Sequence, residues 1–200
     1  MQVKIEGVKE TRKAIRQFAP DLSKQLDIEL RLALSPIVKK ARGFVPNDSP
    51  MSGWAPRSFN EGSFPTYNSK QIRSGIGFST KPGRATRSGF TSNAKIFNRS
   101  FAGAIYETAG RANPAGQQWV GPKAGGTSKK VSRSINPRAG AQFIENLPEL
   151  TPSLKGRGRL IYKAWAQDQG KAYGAAIKAI DKAERLFMER SKSTTFRKAA

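Results

Sequence analysis

Residues 22–42 read LSKQLDIELRLALSPIVKKAR, and the spacing of their apolar side chains decides the first part of the fold. Leu22, Leu26, Leu30, Ala33, Leu34, Ile37, Val38 and Ala41 recur at steps of three and four, which puts them on one face of an α-helix. At 1.5 Å per residue the helix, of roughly 22 residues, spans about 33 Å. Lys39, Lys40 and Arg42 fall in its last turn, where the helix dipole favours cations, and Gly43 is placed to cap it. Pro36 lies inside the pattern, so a kink is expected near Arg31 to Leu34.

Upstream, Val3 and Ile5 alternate with polar residues, and Gly7 opens a segment carrying Val8, Ile15 and Phe18. This predicts a short lead-in and a first helix of about three turns, ended by Pro20 and Asp21. Downstream, Pro46, Pro50, Pro56 and Pro65 with Gly53 and Gly62 exclude regular structure for most of Phe44 to Tyr67. Gln71 to Thr80 reads as a strand with Ile72, Ile76 and Phe78 on one parity. Phe90 to Ala104 reads as one or two more, through Ile96-Phe97 and Phe101. Asn113 to Pro152 is rich in loop residues and anchored only by Trp119-Val120 and Phe143-Ile144. So long an irregular run points to a binding or assembly loop, or to disorder that orders on docking.

From Leu160 to Glu189 a second helical stripe appears in Ile161, Trp165, Ala172, Tyr173, Ala176, Ile177, Ile180, Ala183 and Phe187. Gly170 and Gly174 weaken its first half, and residues 191–200 are expected to fray. The expected fold class is therefore α+β: an N-terminal helix and a long second helix, a small antiparallel sheet with long loops, and a long C-terminal helix. One domain is expected over 1–200, with helices in 1–46, a basic strand-and-loop region over 47–159 and the last helix over 160–190.

Charge and composition narrow the chemistry. The 200 residues carry 36 Lys and Arg against 14 Asp and Glu, a formal +22, with no His and no Cys. Zinc sites built on those residues, Ser-His or Cys-His nucleophile pairs, His acid/base work and disulfides are excluded. No run approaches the roughly 20 apolar residues of a membrane span, and Met1 to Glu6 lacks the apolar stretch of a signal peptide. A soluble chain made in a cytosol, without a membrane partner, is expected. The excess charge calls for a polyanionic neighbour. It is concentrated between Gly62 and Ile144, where Glu107 is the one acidic residue among thirteen Lys and Arg.

Several short patterns invite a chemical reading. Gly121 to Ser128 resembles a phosphate loop up to the lysine position, which is Thr127, so an ordinary loop is the better reading. Lys155-Gly156-Arg157-Gly158-Arg159 precedes the last helix and fits either phosphate held on backbone N–H groups or a hinge whose glycines permit a sharp turn. Asp48, Glu61 and Glu107 are the acidic residues of the middle region, and nothing pairs them for acid/base catalysis. Glu107, isolated among cations, reads as a catalytic base or as the partner of an Arg or Lys, on its own chain or on a neighbouring subunit, with the second reading stronger. Phe78, Phe90, Phe97 and Phe101, interleaved with basic residues, resemble a base-stacking platform, although aromatics at strand parity usually face the core. The basic side chains need only be exposed to attract phosphate. The candidate polyanion or partner contacts are Lys70, Arg73, Lys81, Arg84, Arg87, Lys95, Arg99, Lys129, Lys130, Arg133 and Arg138.

The order of five short stretches resembles the tail-completion or neck proteins of long-tailed bacteriophages, the group that includes minor tail protein Z. Ile5-Glu6-Gly7-Val8 is similar to that family's lead-in, and Ala41-Arg42-Gly43-Phe44-Val45-Pro46 to the close of its long helix. Ile72-Arg73-Ser74-Gly75-Ile76 resembles a strand start that follows. Ala104-Ile105-Tyr106-Glu107-Thr108-Ala109-Gly110 resembles its aromatic, glutamate, glycine segment with the Tyr-to-Glu spacing contracted, and Leu160 to Ala164 resembles the start of its last helix. The resemblance implies a small α+β virion subunit, not an enzyme and without cofactor or metal. It implies assembly as a homo-oligomeric ring, hexameric by symmetry with the tail, at the head–tail junction after synthesis in the host cytoplasm. It also implies structural roles for Gly7, Pro46, Tyr106, Glu107 and Gly110. The implied partners are its own copies, the tail tube or terminator, neck or connector proteins and packaged DNA in the lumen. The alternative is a basic nucleic-acid-binding protein of architectural or ribosomal type.

Overall fold

The computed structural model describes residues 16, 20–55, 65–81, 83–84, 87, 94–123, 125, 131–153 and 156–198. The lead-in helix expected around Gly7, the cations Lys129 and Lys130, and Phe90 lie outside the described residues. The architecture is α+β. Helix α1 (Pro20–Gly43) is followed by a short 3-10 turn (Ser52–Trp54), α2 (Ser69–Gly75), β1 (Ile76–Ser79), β2 (Lys95–Asn98) and α3 (Phe101–Thr108). Then come β3 (Gln118–Trp119), β4 (Val131–Ser132), α4 (Ala139–Glu145), β5 (Thr151–Ser153), β6 (Gly156–Gly158) and the long α5 (Ile161–Lys198). Among the described residues the strands form three two-stranded ladders: β1 with β2, β3 with β4 in parallel, and β5 with β6 antiparallel. No described helix is long and apolar enough to cross a membrane.

Three local expectations are corrected. The strand read over Gln71–Thr80 is a helix and then a strand. Asn68 caps α2, its side chain accepting from the Gln71 amide at 3.0 Å, and the chain extends only from Ile76. Ile72 and Ile76 are four apart, a spacing that strand parity and a helical turn both satisfy. Phe101 is likewise not in a strand: it opens α3, whose N-cap Ser100 accepts from the Gly103 amide at 3.1 Å. Residues 191–198, expected to fray, continue α5, because neither Gly nor Pro interrupts the chain after Gly174. Helix α1 runs through Pro36 as one element.

Where one domain was expected, the chain gathers into two compact units, each assembled from separated stretches. Unit 1 comprises residues 1–38, 78–96 and 168–200, and unit 2 comprises 39–77 and 97–167. The limits at 47 and 159 are not limits in space, since α1 and α5 each supply residues to both units.

Unit 1 is a helix pair. Leu26 and Leu30 of α1 pack with Ala179 and Ala183 of α5, flanked by Ala176 and Ile180, and Leu22 packs with Leu186 and Phe187. The small side chains on α5 let the helices approach closely, as ridges meeting grooves. Arg190 to Asp21 at 2.6 Å and Lys182 to Glu29 at 3.4 Å lie along the edge of the same seam. Unit 2 holds the aromatic core. Trp54 meets Tyr67 and Phe143 edge-on at 5.2 and 5.1 Å and stacks over Tyr106 at 6.5 Å. The polar ends are satisfied: Trp54 Nε1 donates to the Pro65 carbonyl at 2.8 Å and the Tyr67 hydroxyl to the Pro46 carbonyl at 2.7 Å. Ile72, Ile76, Leu147, Leu160 and Ala164 are buried in the same unit.

Candidate functional site

The most constrained polar arrangement of unit 2 joins the end of α3 to the start of α5. Glu107, in the last turn of α3, is only 4 % exposed. Its Oε2 accepts from the backbone amides of Leu160 at 2.6 Å and Ile161 at 3.1 Å, and its Oε1 from Tyr162 at 2.9 Å. These are amides that the first turn of α5 leaves without helical partners. In return Arg159, also 4 % exposed, sends Nη1 to the carbonyls of Tyr106 at 3.0 Å and Ala109 at 2.8 Å, where α3 ends, and Nε to the Pro148 carbonyl. Each helix end is thus closed by a side chain from the other, with the carboxylate on the positive end and the guanidinium on the negative end.

Close approach makes this possible. A Cβ at Gly158 would fall 2.3 Å from Glu107 Oε1, so only glycine admits the carboxylate. Gly110, at φ +80°, turns the chain out of α3 against Ile144 in a conformation that favours glycine. Arg111 and Arg157 exchange guanidinium-to-carbonyl bonds, one of 2.9 Å from Arg157 to the Arg111 carbonyl, and Arg111 lies 4.7 Å over the Tyr162 ring.

Burial is the largest influence on Glu107 and holds its carboxyl above the usual carboxylate range, while the three amides and the Arg111 charge pull it back. Burial likewise lowers the Arg159 guanidinium and raises the Tyr106 hydroxyl. Tyr67 is pushed up to about 12, mainly by burial.

Two sequence readings are settled here. The Arg or Lys expected to bond Glu107 is replaced by backbone N–H groups, and with three acceptor bonds committed to a helix end its carboxylate serves as a cap. The amides opening α5, read as a candidate phosphate cradle, already hold an anion, which the chain itself supplies.

The predicted cations divide by what they touch. Arg73 donates to the Val45 carbonyl at 2.7 Å and to Asn47 Oδ1 at 2.6 Å. Arg133 donates to the Gly125 carbonyl at 3.3 Å, and Arg138 lies 3.7 Å from Glu145 at the surface. Arg99 covers the Phe97 ring at 4.7 Å, which closes that face of Phe97 to base stacking. Lys70, Lys81, Arg84, Arg87 and Lys95 are exposed, with side chains that take no hydrogen bond, ion pair or ring partner among the described residues. Of the family-pattern residues, Pro46 offers its carbonyl to Tyr67, Tyr106 enters the aromatic core, and Glu107 and Gly110 shape the end of α3. Arg159 and Gly158 were not singled out as a pair with Glu107, because 53 residues separate Glu107 from Leu160 and no local pattern spans that distance.

No family model, curated protein or solved structure matches this chain.

Proposed function

We propose that the chain is a non-catalytic virion subunit that completes the tail or the head–tail neck of a long-tailed phage, as one member of a homo-oligomeric ring, hexameric to match the tail. The observation that carries this reading is apolar surface left in water on one arm of unit 2. Ile135 is 89 % exposed, and Trp119 and Val120 are exposed beside it. The arm is fixed: Trp119 Nε1 donates to the Ser134 carbonyl at 2.9 Å and the Val120 amide to Ser132 at 3.0 Å, extending the β3–β4 ladder. Large apolar side chains held in place on a strongly basic chain suit burial against a neighbouring subunit. The order of the five short stretches that resemble tail-completion proteins supports the same reading.

The ring would bind its own copies, the tail tube or terminator and the neck or connector, with DNA in its lumen. Particles assembled without this chain should carry unjoined or unstable tails in electron micrographs. Particles of normal infectivity reject the proposal.

A second reading, a basic nucleic-acid-binding protein of architectural or ribosomal type, is favoured by one observation: the exposed cations Lys70, Lys81, Arg84, Arg87 and Lys95 have no side-chain partner among the described residues.

A further inference from the structure

We infer that unit 1 carries both halves of a head-to-tail joint between copies of this chain, in which the outer face of α1 on one copy receives the flank of α5 on the next. The inference rests on the ring reading above and names a contact that builds the ring.

The seam inside unit 1 fixes which faces remain. Leu22, Leu26 and Leu30 turn α1 toward α5. At 3.6 residues per turn, Ile28 and Leu32 lie about half a turn away from that leucine line, and they are 56 % and 64 % exposed. On α5, Ala179 and Ala183 face the seam. Ile177 stands about a third of a turn round from them and is 52 % exposed, with Tyr173 exposed one turn before it. Single apolar side chains on a surface need no partner, but each of these belongs to a pair at i, i+4 spacing, which forms a ridge along its helix.

Charge selects the occupant. The α1 ridge is basic: Lys24 and Arg31 are the turn neighbours of Ile28, and both are exposed. The α5 flank is acidic, with Asp181 one turn after Ile177 and Glu184 following it, both exposed. Asp21 and Glu29 at the edge of the seam already take Arg190 and Lys182, whereas the carboxylates of Asp181 and Glu184 meet no cation among the described residues. A nucleic acid is repelled by the α5 flank, and an acidic partner protein leaves that flank unmatched. A second copy satisfies both faces, since it brings Lys24 and Arg31 to the carboxylates and an apolar ridge to Ile177.

The register agrees. Within the chain the two helices run antiparallel, Leu22 packing with Leu186 and Phe187, and Leu26 and Leu30 with Ala179 and Ala183. The same register carried to the next copy sets Leu32 against Ile177 and Lys24 against Glu184, with Asp181 beside Ile28, between Lys24 and Arg31. Because the two faces differ, the contact is heterologous, the kind that closes into a ring when its rotation permits.

The test is the mass of the full chain by sedimentation velocity over a concentration series. One variant carries Ile28→Glu and Leu32→Glu, another Ile177→Glu, and helical circular dichroism confirms that each is folded. Each alone should lose self-association, its dissociation constant rising at least about thirtyfold. Mixed in equal amounts, the two should form a complex of two chains and nothing larger, since each keeps one sound face. A charge swap is the finer test: Lys24→Glu alone should weaken association about three- to tenfold, and adding Glu184→Lys should restore it. Variants that associate as tightly as the parent, or a mixture that forms no complex, overturn the inference and leave the ring reading standing on the exposed arm of unit 2. A monomeric parent also overturns it, while the particle experiment still decides the ring reading. If the urea midpoint of that monomer falls on Ile28→Glu and Leu32→Glu, the α1 ridge is covered by a segment of its own chain. Association lost and rescued as expected, beside particles of normal infectivity without the chain, rejects the virion reading and keeps the contact.

Discussion

Unit 2 turns Glu107 and several of its arginines onto its own backbone, whereas the charged pairs described in unit 1 lie at the surface. In unit 2 a buried carboxylate and a buried guanidinium close two helix ends, and further arginines bridge carbonyls. In unit 1 an apolar seam of Leu and Ala holds two helices together, with Arg190–Asp21 and Lys182–Glu29 along its edge and Lys24, Arg31, Lys171 and Lys178 exposed on the helices. Burial explains why the same residue types act so differently. A charge removed from water is useful only where its hydrogen bonds are complete, and losing one partner then exposes the full desolvation cost of the other. A charge left in water adds little stability and remains available to a partner.

The sharpest way to break this contrast is Glu107→Ala. It orphans the amides of Leu160, Ile161 and Tyr162, and should cost about 3–5 kcal/mol in urea unfolding followed by tryptophan fluorescence. A loss below about 1 kcal/mol would show that the cap is dispensable. Glu107→Gln keeps one acceptor oxygen and should cost roughly half as much. In unit 1 the comparable loss comes from an apolar residue: Leu26→Ala should cost about 2–4 kcal/mol, read by the helical signal. Gly158→Ala drives a methyl into Glu107 Oε1 and against Tyr162 Cδ2 and should cost about 2 kcal/mol, relieved in part when combined with Glu107→Ala. Additive losses from those two changes would contradict the close approach. At the small end, Arg190→Ala removes an exposed pair with Asp21 and should leave the unfolding midpoint unmoved within error.

Titration should separate the units as well. Tyr67 in the fold lies near 12 against an ordinary 10, so the stability linked to it is fully present below about 10 and is lost as pH rises through about 12. Trp54 fluorescence should report that alkaline loosening of unit 2. Asp21 is held below the ordinary aspartate value by its hydrogen bond and charge pairing with Arg190. Its contribution is therefore present above that ordinary value and lost as pH falls through the lowered one. Glu107 has the opposite sign. Its raised value means that the linked stability is greatest below the ordinary glutamate range and declines as pH rises through the folded value. A chain that loses the aromatic core of unit 2 in mild acid would contradict this ordering.

Much of the helical frame was legible in the sequence, because α1 buries Leu22, Leu26, Leu30, Ile37, Val38 and Ala41 and α5 buries Ala164, Ala172, Ala179 and Ala183 at helical spacing, while Tyr173 and Ile177 of the expected stripe stand exposed. The short elements were less legible. Ile72 and Ile76 satisfy a helix and a strand alike, and only the Asn68 cap, followed by the Gln71 amide it accepts from, distinguishes them. Phe101 follows the Ile96-Phe97 pair closely enough to suggest a strand, yet Ser100 before it is a strong helix-capping type. The partner of Glu107 was out of reach for a different reason: acceptor and donors are local to different helices, and backbone amides carry no sequence signature. The charged surface was half legible. Composition located the basic region, but only the structure separates the arginines that hold carbonyls from those left in solvent.

The discontinuous make-up of the two units also sets an order during synthesis. Every residue of unit 2 has emerged once position 167 clears the ribosome, so its aromatic core and its reciprocal helix caps can form while the rest of α5 is still being made. Unit 1 must wait, because Leu22, Leu26 and Leu30 are translated early and their partners Ala179, Ala183 and Leu186 come far later in the chain. Until then that leucine face has no helix to pack against, so unit 1 closes only after unit 2 can be complete.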